Sequence, residues 1–383
     1  MTTIYLIRHA EAEGNVYRRI HGQYDGRITP RGYKQIEYLA ERFKDVPIDA
    51  LYASDLRRTR VTATAITKYH ALPVCLEPRL REQGMGVWED LPWGNVYRDD
   101  PETIANFAVN PKCFFVPGSE DYYVLQARVT AAITEIAEKN DGKTVAVVSH
   151  GMAIRSFLTG VLGLPSERIC EVQHGDNTCV AKLRYKDGSF SIDYYNDNSH
   201  VPQQLSTFAT QGWWKNKNMT TADTTNLLFE PMDLTKDAEL YRQCYRDGWI
   251  AAHGSDRGYV DEPYLRNARA ISARDPRCLM KTYSGDKFAG IIELDPDRMA
   301  NEGAGWVSFC YIVPELRGQD FGVQLLGHAV SYFRGQGRQS LRLHVSEKNE
   351  RAISFYQKYA FREIGGEQGV VCWLKLMEKD LEQ

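Results

Sequence analysis

The sequence predicts an α/β protein made of two domains in tandem. Three observations predict it. Apolar runs of strand length alternate with amphipathic helical stretches from residue 1 to about residue 195. Two of those runs, 4–7 and 144–148, end abruptly in polar residues that include a histidine. A polar stretch at 196–225 then breaks the pattern, and a second series of strands and helices starts at Leu227.

Length and composition agree with this reading. A chain of 383 residues is long for one domain. Residues 1–210 hold 24 Lys+Arg and 26 Asp+Glu, a net of −2, and the remainder holds 23 and 24, a net of −1. Neither part has the basic excess that draws a protein to nucleic acid or an anionic membrane. No window approaches the roughly 18 consecutive apolar residues of a membrane helix. The N-terminal residues enter a strand without a basic and then apolar leader. Eight cysteines form no CxxC pair and show no metal spacing, and Cys75, Cys179 and Cys310 sit in apolar runs. A reducing, cytoplasmic location is expected, without metal, nucleic acid or membrane as partner. Oligomerisation is left open.

The first strand, 4–7, is followed by a polar, glycine-containing loop at 11–29. A helix over 30–43 places Ile36, Leu39, Ala40 and Phe43 on one face. The run 51–53 is a second strand, followed by Ser54-Asp55-Leu56-Arg57-Arg58-Thr59 and a helix to about Tyr69. A third strand, 72–76, leads into a loop with Leu80-Arg81-Glu82 and Trp88-Glu89. Residues 92–120 are rich in aromatics and prolines and read as an insertion, in which Trp93, Tyr97, Phe107, Phe114 and Phe115 form the insertion's own small core or, as the alternative, an apolar wall over the site. A helix over 121–139 precedes the strand 144–148, which ends in Ser149-His150-Gly151. A helix to Leu162 and two antiparallel strands, 179–185 and 190–195, complete the series. The alternation implies a mostly parallel sheet with helices on both faces.

In such a sheet the carboxyl ends of the strands share one edge, where ligands bind. Arg8, His9, Arg58 and His150 therefore converge. Arginine forks match phosphate oxygens and keep their charge. A neutral histidine beside them can attack phosphorus, and a second can stabilise charge on the transferring group. A carboxylic acid must protonate the departing alkoxide, and Glu82 is the candidate in the loops. Asn15 and Gln23 touch substrate or cap turns. Arg18, Arg19 and His21 touch substrate or are solvated loop charges.

These residues carry a resemblance to the histidine phosphatase superfamily, the phosphoglycerate-mutase-like α/β/α sandwich. The family's Arg-His-Gly is Arg8-His9-Ala10 here, and its later asparagine is Asn15. Gly22, Asp25, Ile28-Thr29, Gly32 and Gln35 match its following loop and helix start. Ser54–Thr59 matches Ser-Asp-Leu-x-Arg-Ala, which selects Arg58 over Arg57. Leu80-Arg81-Glu82 with Gly86-Val87-Trp88-Glu89 matches the acid motif, and Ser149-His150-Gly151 the Ser-His-Gly motif. The resemblance implies that His9 is the nucleophile, that Arg8, Arg58 and His150 bind phosphate, and that Glu82 is the general acid, with no cofactor. Alanine at position 10 should narrow the pocket modestly. Leu80-Arg81-Glu82 differs from the Asn-Glu-Arg pattern of glycolytic mutases, and the insertion is shorter than theirs. Both differences favour hydrolysis of a small phosphoester over mutase action.

Domain one is read as 1–210, a linker as 211–226, and domain two as 227–383. Trp213-Trp214 in the linker should pack against a domain. After a strand at 227–229, helices follow at 235–253 and 262–275. A hairpin of strands 279–283 and 287–294 turns at Ser284-Gly285-Asp286. The strand 305–313 meets Pro314-Glu315-Leu316-Arg317-Gly318-Gln319-Asp320-Phe321-Gly322, then a helix to about Phe333. A strand at 341–345, a helix at 349–359 and a strand at 370–376 end the chain. A strand, a glycine turn and a helix start make a phosphate site, because first-turn N–H groups are open.

This half resembles the GNAT acetyltransferases, an α+β fold on a mixed, mostly antiparallel sheet. Their Arg/Gln-x-x-Gly-x-Gly/Ala reads Arg317–Gly322 here, and their Asn-x-x-Ala-x-x-Phe-Tyr reads Asn349–Tyr356. The resemblance implies acetyl-coenzyme A held by Val313, Arg317, Gly318, Gln319, Asp320, Phe321, Gly322 and Asn349. It implies that Tyr356 protonates the coenzyme A thiolate and that an amine is the acceptor. Asp320 and Ala360 stand where the family has glycine. A carboxylate near a pyrophosphate is repulsive unless it points away, though Asp tolerates positive φ. Glu293 is one candidate base, and a surface glutamate is the plainer reading. Trp249, His253, Asp256, Tyr259 and Tyr264 fall where the family forms acceptor pockets. The sequence therefore predicts a bifunctional phosphatase and N-acetyltransferase. The alternatives are a phosphatase with a degenerate GNAT-like module, or a mutase-type phosphotransferase.

Overall fold

The computed structural model describes residues 1–211 and 223–382. Trp213 and Trp214 lie outside them. The described chain divides into two units, 1–91 with 96–225, and 92–95 with 226–383.

The first unit is built on β1 (Thr2–Arg8), α1 (Glu13–Tyr17), α2 (Pro30–Phe43), β2 (Ala50–Ala53), α3 (Arg57–Thr67), β3 (Val74–Leu76), α4 (Trp93–Asp99), α5 (Pro101–Val109), α6 (Tyr122–Lys139), β4 (Thr144–Ser149), α7 (Gly151–Val161), β5 (Val180–Lys186), β6 (Ser189–Asp197) and α8 (Thr207–Thr210). Its sheet runs β3-β2-β4-β1-β5-β6. The first four of those strands are parallel, and β5 and β6 are antiparallel additions. Strand side chains alternate between faces. Ile4, Leu6, Val145 and Val147 pack on one side with Leu125, Val129 and Phe157 of α6 and α7. Ile7, Ala146 and Val148 pack on the other with Leu39, Phe43, Ala63 and Ile66 of α2 and α3. Each fully buried side chain of this size contributes about 1.5–3 kcal/mol. Thr29 caps α2 by accepting from Gly32 N at 3.0 Å, with Pro30 in the first turn.

Two local expectations change. The loop after β1 contains the short helix α1, and the insertion holds α4 and α5. Phe107 and Phe114 stack edge to face at 5.1 Å and Phe114 meets Trp88 at 5.4 Å, whereas Phe115 is exposed.

The second unit contains β7 (Leu227–Pro231), α9 (Ala238–His253), α10 (Glu262–Arg274), β8 (Leu279–Ser284), β9 (Lys287–Asp295), β10 (Ala304–Ile312), α11 (Phe321–Gly335), β11 (Ser340–Ser346), α12 (Glu350–Lys358), β12 (Arg362–Gln368) and β13 (Trp373–Asp380). The sheet order is β12-β13-β11-β10-β9-β8-β7. Only β10 and β11 are parallel neighbours. They pair from Ala304↔Ser340 to Val307↔Leu343 and no further, although β10 continues to Ile312 and β11 to Ser346. A register irregularity between Val307 and Phe309 marks where β10 leaves its partner. The sequence reading missed β12, an exposed edge strand interrupted by Gly365-Gly366, and placed the last strand three residues early.

Candidate active sites

In the first unit, Arg8 pairs with Ser149 at the ends of adjacent parallel strands. His9 and His150, one residue further on, leave the sheet together. The ladder continues into His9, whose N–H donates to Ser149 O at 3.0 Å. On the other side of β4, β2 pairs Ala53 with Val148 and delivers Ser54 and the α3 start with Arg58.

His9 is 6 % exposed, and its Nδ1 lies 2.7 Å from Ala10 O. A carbonyl only accepts, so Nδ1 carries the proton and Nε2 keeps the lone pair. Burial first, then the Arg58 and Arg8 cations, hold His9 well below the ordinary histidine range. The ring is therefore neutral at pH 7, as a nucleophile must be. His150 is fully buried, its ring centroid 5.3 Å from that of His9. Arg58 Nε donates to His150 Nδ1 at 3.1 Å, which leaves His150 Nε2–H to donate to Ser54 Oγ at 2.9 Å.

Arg58 is 1 % exposed and also donates to Tyr24 O at 2.8 Å and Gly22 O at 2.7 Å. Burial draws its pKa down to about 10. A Cβ on Gly22 would stand 2.4 Å from Gln83 O, so only glycine lets these loops approach. The Arg58→Ala variant should release phosphate at least about 100-fold more slowly. It should also lose about 2–3 kcal/mol of stability, because two carbonyls and an imidazole nitrogen lose a charged donor. Phosphate assay and urea unfolding read the two effects, and near-wild-type values in both would overturn this role.

Arg8 donates to Gly175 O, and its Nε is buried without a hydrogen-bond partner among the described residues. A Cβ on Gly151 would meet Arg8 Nε at 3.4 Å and Glu82 Oε2 at 3.7 Å. Arg8 and Glu82 thus flank the Gly151 backbone. Glu82 accepts from Met152 N at 3.0 Å, Ala153 N at 2.9 Å and Gln83 N at 3.0 Å. Its carboxyl sits on the first turn of α7, where negative charge is favoured.

The structure thus brings Arg8, His9, Arg58, Glu82 and His150 to one edge. Asn15 Oδ1 accepts from Ala12 N at 2.9 Å and closes the start of α1. Gln23 donates to Glu82 O at 3.2 Å and so ties down the acid loop. Glu89, matched only as a motif residue, accepts from the N–H groups of Gln23, Tyr24 and Met85. Arg18 pairs with Asp223 at 3.0 Å and Arg19 with Asp90 at 2.8 Å, so neither is a solvated charge. His21, 3.5 Å from Asp90, fills the space beside Gly14 and Gly26. Ala10 does not narrow the pocket as expected. Its methyl is fully buried in the core with Ile7 and Ile36, and its φ is not positive.

Sequence reasoning missed the loop before β5 and a residue of α6. Asn177, 1 % exposed, donates to His9 O at 3.0 Å. Asp176 accepts from Ser206 Oγ at 2.6 Å and Asn198 Nδ2 at 3.2 Å. The polar run Gly-Asp-Asn-Thr directly before a strand was the available signal. Arg128 of α6 binds three carbonyls of the Glu82 loop. Its signal was a charge flanked by the buried Leu125, Val129 and Ala132 of a helix.

In the second unit, the turn from β10 into α11 takes the shape expected. Gly318 has φ +81°, and Asp320, at the N-cap of α11, has φ +59° and ψ +18°. The Asp320 side chain does not cap the helix. It accepts from Lys358 Nζ at 3.3 Å and Tyr359 OH at 3.5 Å, so the carboxylate is directed to the end of α12. That answers the repulsion argument and leaves the first-turn N–H groups uncapped by it. Gly322 packs under Phe355, whose ring would lie 3.1 Å from an added Cβ. Phe321 is buried and Gln319 is exposed. Arg317 Nε donates to Ile312 O at 2.8 Å, its head 5.6 Å from the Tyr311 ring centroid. Val313 N donates to Ala289 O. Asn349 Oδ1 accepts from Ala352 N at 3.1 Å, which makes Asn349 the N-cap of α12.

Tyr356 is 9 % exposed, and burial, with the Cys310 thiol adding, raises its pKa well above the usual phenol value. Its hydroxyl stays protonated. Ala360 has φ +67°, a left-handed alanine where glycine would be unstrained. Glu293 is not a surface residue. It is 2 % exposed, accepts from Tyr241 OH at 2.8 Å, and is pushed by burial up to about 7. Trp249 lies 4.4 Å from His253 and 5.9 Å from Tyr259, ring to ring, and Tyr264 stacks on Tyr245 at 4.5 Å. Asp256 instead pairs with Arg246 at 2.6 Å.

Among the described residues no group of three or more His, Cys, Asp or Glu is arranged to hold a metal, and no helix is long and apolar enough to cross a membrane. All eight cysteines are free.

Comparison with known proteins gives two family matches. Residues 4–198 match the histidine phosphatase superfamily (branch 1), and residues 238–361 match the acetyltransferase (GNAT) family. The chain is 31% identical over 211 residues to a protein of Enterobacter sp. (strain 638) named "Probable phosphoglycerate mutase GpmB", covering 52% of this chain and 95% of that one. A protein of the same name from Yersinia pestis (strain Pestoides F) is 32% identical over 214 residues, covering 56% and 90%. Among solved structures, Bacillus stearothermophilus YhfR aligns with a TM-score of 0.51 and 27% identity, over 53% of this chain and all of that one.

Proposed function

The chain belongs to the histidine phosphatase superfamily and carries a GNAT acetyltransferase domain, and on that premise we propose a bifunctional enzyme. The first domain hydrolyses a phosphomonoester. The observation that carries this reading is His9, buried, neutral and tautomerically fixed by Ala10 O. His9 Nε2 attacks phosphorus and the P–O bond to the alcohol breaks. Glu82 supplies the proton to the departing alkoxide. Arg8 Nε, without a hydrogen-bond partner among the described residues, donates to a phosphoryl oxygen, while Arg58 keeps positive charge beside it and the neutral His150 accepts from Arg58 Nε. Water, deprotonated by Glu82, then cleaves the phosphohistidine. Release of inorganic phosphate from a panel of phosphorylated metabolites tests the reading.

A second reading, phosphoryl transfer between positions of one substrate, is favoured by the similarity to proteins named as probable phosphoglycerate mutases. Transfer outrunning phosphate release would establish it instead.

The second domain transfers an acetyl group from acetyl-coenzyme A to an amine. When bound, acetyl-coenzyme A supplies the activated acetyl thioester. The N–H groups at the start of α11 would hold its diphosphate, as helix N-termini do, with Gly318 and Gly322 allowing close approach. Tyr356 holds the proton that the thiolate requires. Glu293, with a pKa near 7, is suited to accept the amine proton. Calorimetric titration of the whole chain should give a Kd for acetyl-coenzyme A of about 10 μM or tighter, roughly −7 kcal/mol. No heat at millimolar ligand would favour a GNAT-like module that has lost its cofactor. The free cysteines support a reducing, cytoplasmic setting.

A further inference from the structure

Side chains engage the backbone of the loop that carries Glu82. Four successive carbonyls are taken. Arg128 donates to Arg79 O at 2.8 Å, Arg81 O at 2.7 Å and Glu82 O at 2.8 Å. Ser149 Oγ donates to Leu80 O at 2.8 Å. Glu120 holds Arg128 from the other side, accepting from its Nε at 2.5 Å and its second terminal nitrogen at 2.7 Å. Glu120 also returns to the loop: its N–H donates to Gly84 O at 2.9 Å, its carboxylate accepts from Gly84 N at 3.3 Å, and its carbonyl accepts from Gln83 Nε2 at 2.9 Å. The Arg128 side chain is 18% exposed and that of Glu120 is 15% exposed. A planar guanidinium can bridge several carbonyls at fixed angles, whereas an ammonium on a flexible stem cannot.

We infer that Arg128, clamped by Glu120, is a positioning residue that aims the Glu82 carboxyl at the leaving oxygen, so that proton donation to the alcohol depends on it. This rests on the reading of Glu82 as general acid. Without Arg128, Arg79 O and Arg81 O lose their side-chain donor and Glu82 O keeps only Gln23; the loop can then drift, and displacement of an acid by about 1 Å is enough to cost about 100-fold in rate. Arg128 touches neither His9 nor the phosphate arginines, so formation of the N–P bond does not require it.

Leaving-group dependence separates aiming from mere stabilisation. A dinitrophenolate departs without a proton, and an alkoxide does not. Wild type, Glu82→Gln, Arg128→Ala and Arg128→Lys are each assayed on 2,4-dinitrophenyl phosphate and on an alkyl phosphate such as β-glycerophosphate. Glu82→Gln and Arg128→Ala should each lose about 100-fold in kcat/KM, which reports the step that releases the leaving group and not the later water step, on the alkyl ester and less than about threefold on the dinitrophenyl ester. Arg128→Lys, which keeps the charge against Glu120, should show the same selectivity to a smaller degree and covers the case in which the alanine variant does not fold. Equal losses on both esters in the Arg128 variants, with selective loss in Glu82→Gln, overturn the positioning role alone. Equal losses in Glu82→Gln overturn the acid assignment and the inference with it. No turnover of either ester by the wild type overturns the phosphatase reading itself.

Discussion

His9→Ala should fold normally and release phosphate from an aryl phosphate at least about 10,000-fold more slowly than the wild type. Removing a nucleophile removes the covalent path, and what remains is the binding contribution of the cations around it. The fold should survive because the backbone bonds of His9, to Ser149 O and from Asn177 Nδ2, do not involve the imidazole. A phosphorylated protein that is acid-labile and alkali-stable should be trapped in the wild type during turnover and be absent in the variant. Turnover that persists in a folded His9→Ala protein would assign the nucleophile elsewhere.

The second large effect is acid destabilisation of the same domain. His9, His21 and His150 are all held below the ordinary histidine pKa, in each case chiefly by burial. Nearby cations add to this, while Asp90 partly offsets it at His21. The native state therefore stays unprotonated at these rings when the unfolded chain, titrating near 6.5, takes up protons. The unfolded state binds more protons, so stability falls as pH drops below about 6.5. These three sites alone give a limiting slope of about 4 kcal/mol per pH unit, and His174 and His200, also held low chiefly by burial, steepen it. Glu11, whose carboxyl burial raises, acts in the opposite sense at lower pH and does not cancel the loss. Urea midpoints of the first domain between pH 7.5 and 5 should show this fall. A flat profile would mean that the rings admit water and protons freely.

Much of this site was legible because it grows from strand ends. Apolar runs that stop at His9 and His150 report both a buried strand and its polar exit, and parallel order follows from the helices between them. Arg58 was legible by its motif, although its work on carbonyls and on His150 was not. What stayed hidden depends on tertiary partners. Asn177, Asp176 and Arg128 are ordinary polar residues until the chain folds. Glu293 reads as a surface residue, since strand periodicity does not identify which buried face holds a tyrosine hydroxyl. The strand β12 was obscured by its two glycines and its exposure at a sheet edge. Asp320 and Ala360 looked like defects in a glycine motif. The backbone adopts the left-handed turn at both positions anyway, and one carboxylate finds a lysine.

The pairing of Arg8 with Ser149 has a consequence for how this enzyme can vary. The relative position of the two histidines is a property of the hydrogen-bond ladder, set in the apolar interior, and no loop adjusts it. Because side chains alternate, a slip of one residue between β1 and β4 would send every core side chain to the opposite face. Catalytic alignment and core packing are therefore one constraint, and a deletion in either strand forfeits both together. The insertion between β3 and α6 has no such tie to the ladder. A change of length there would leave the spacing of the two imidazoles as the ladder sets it.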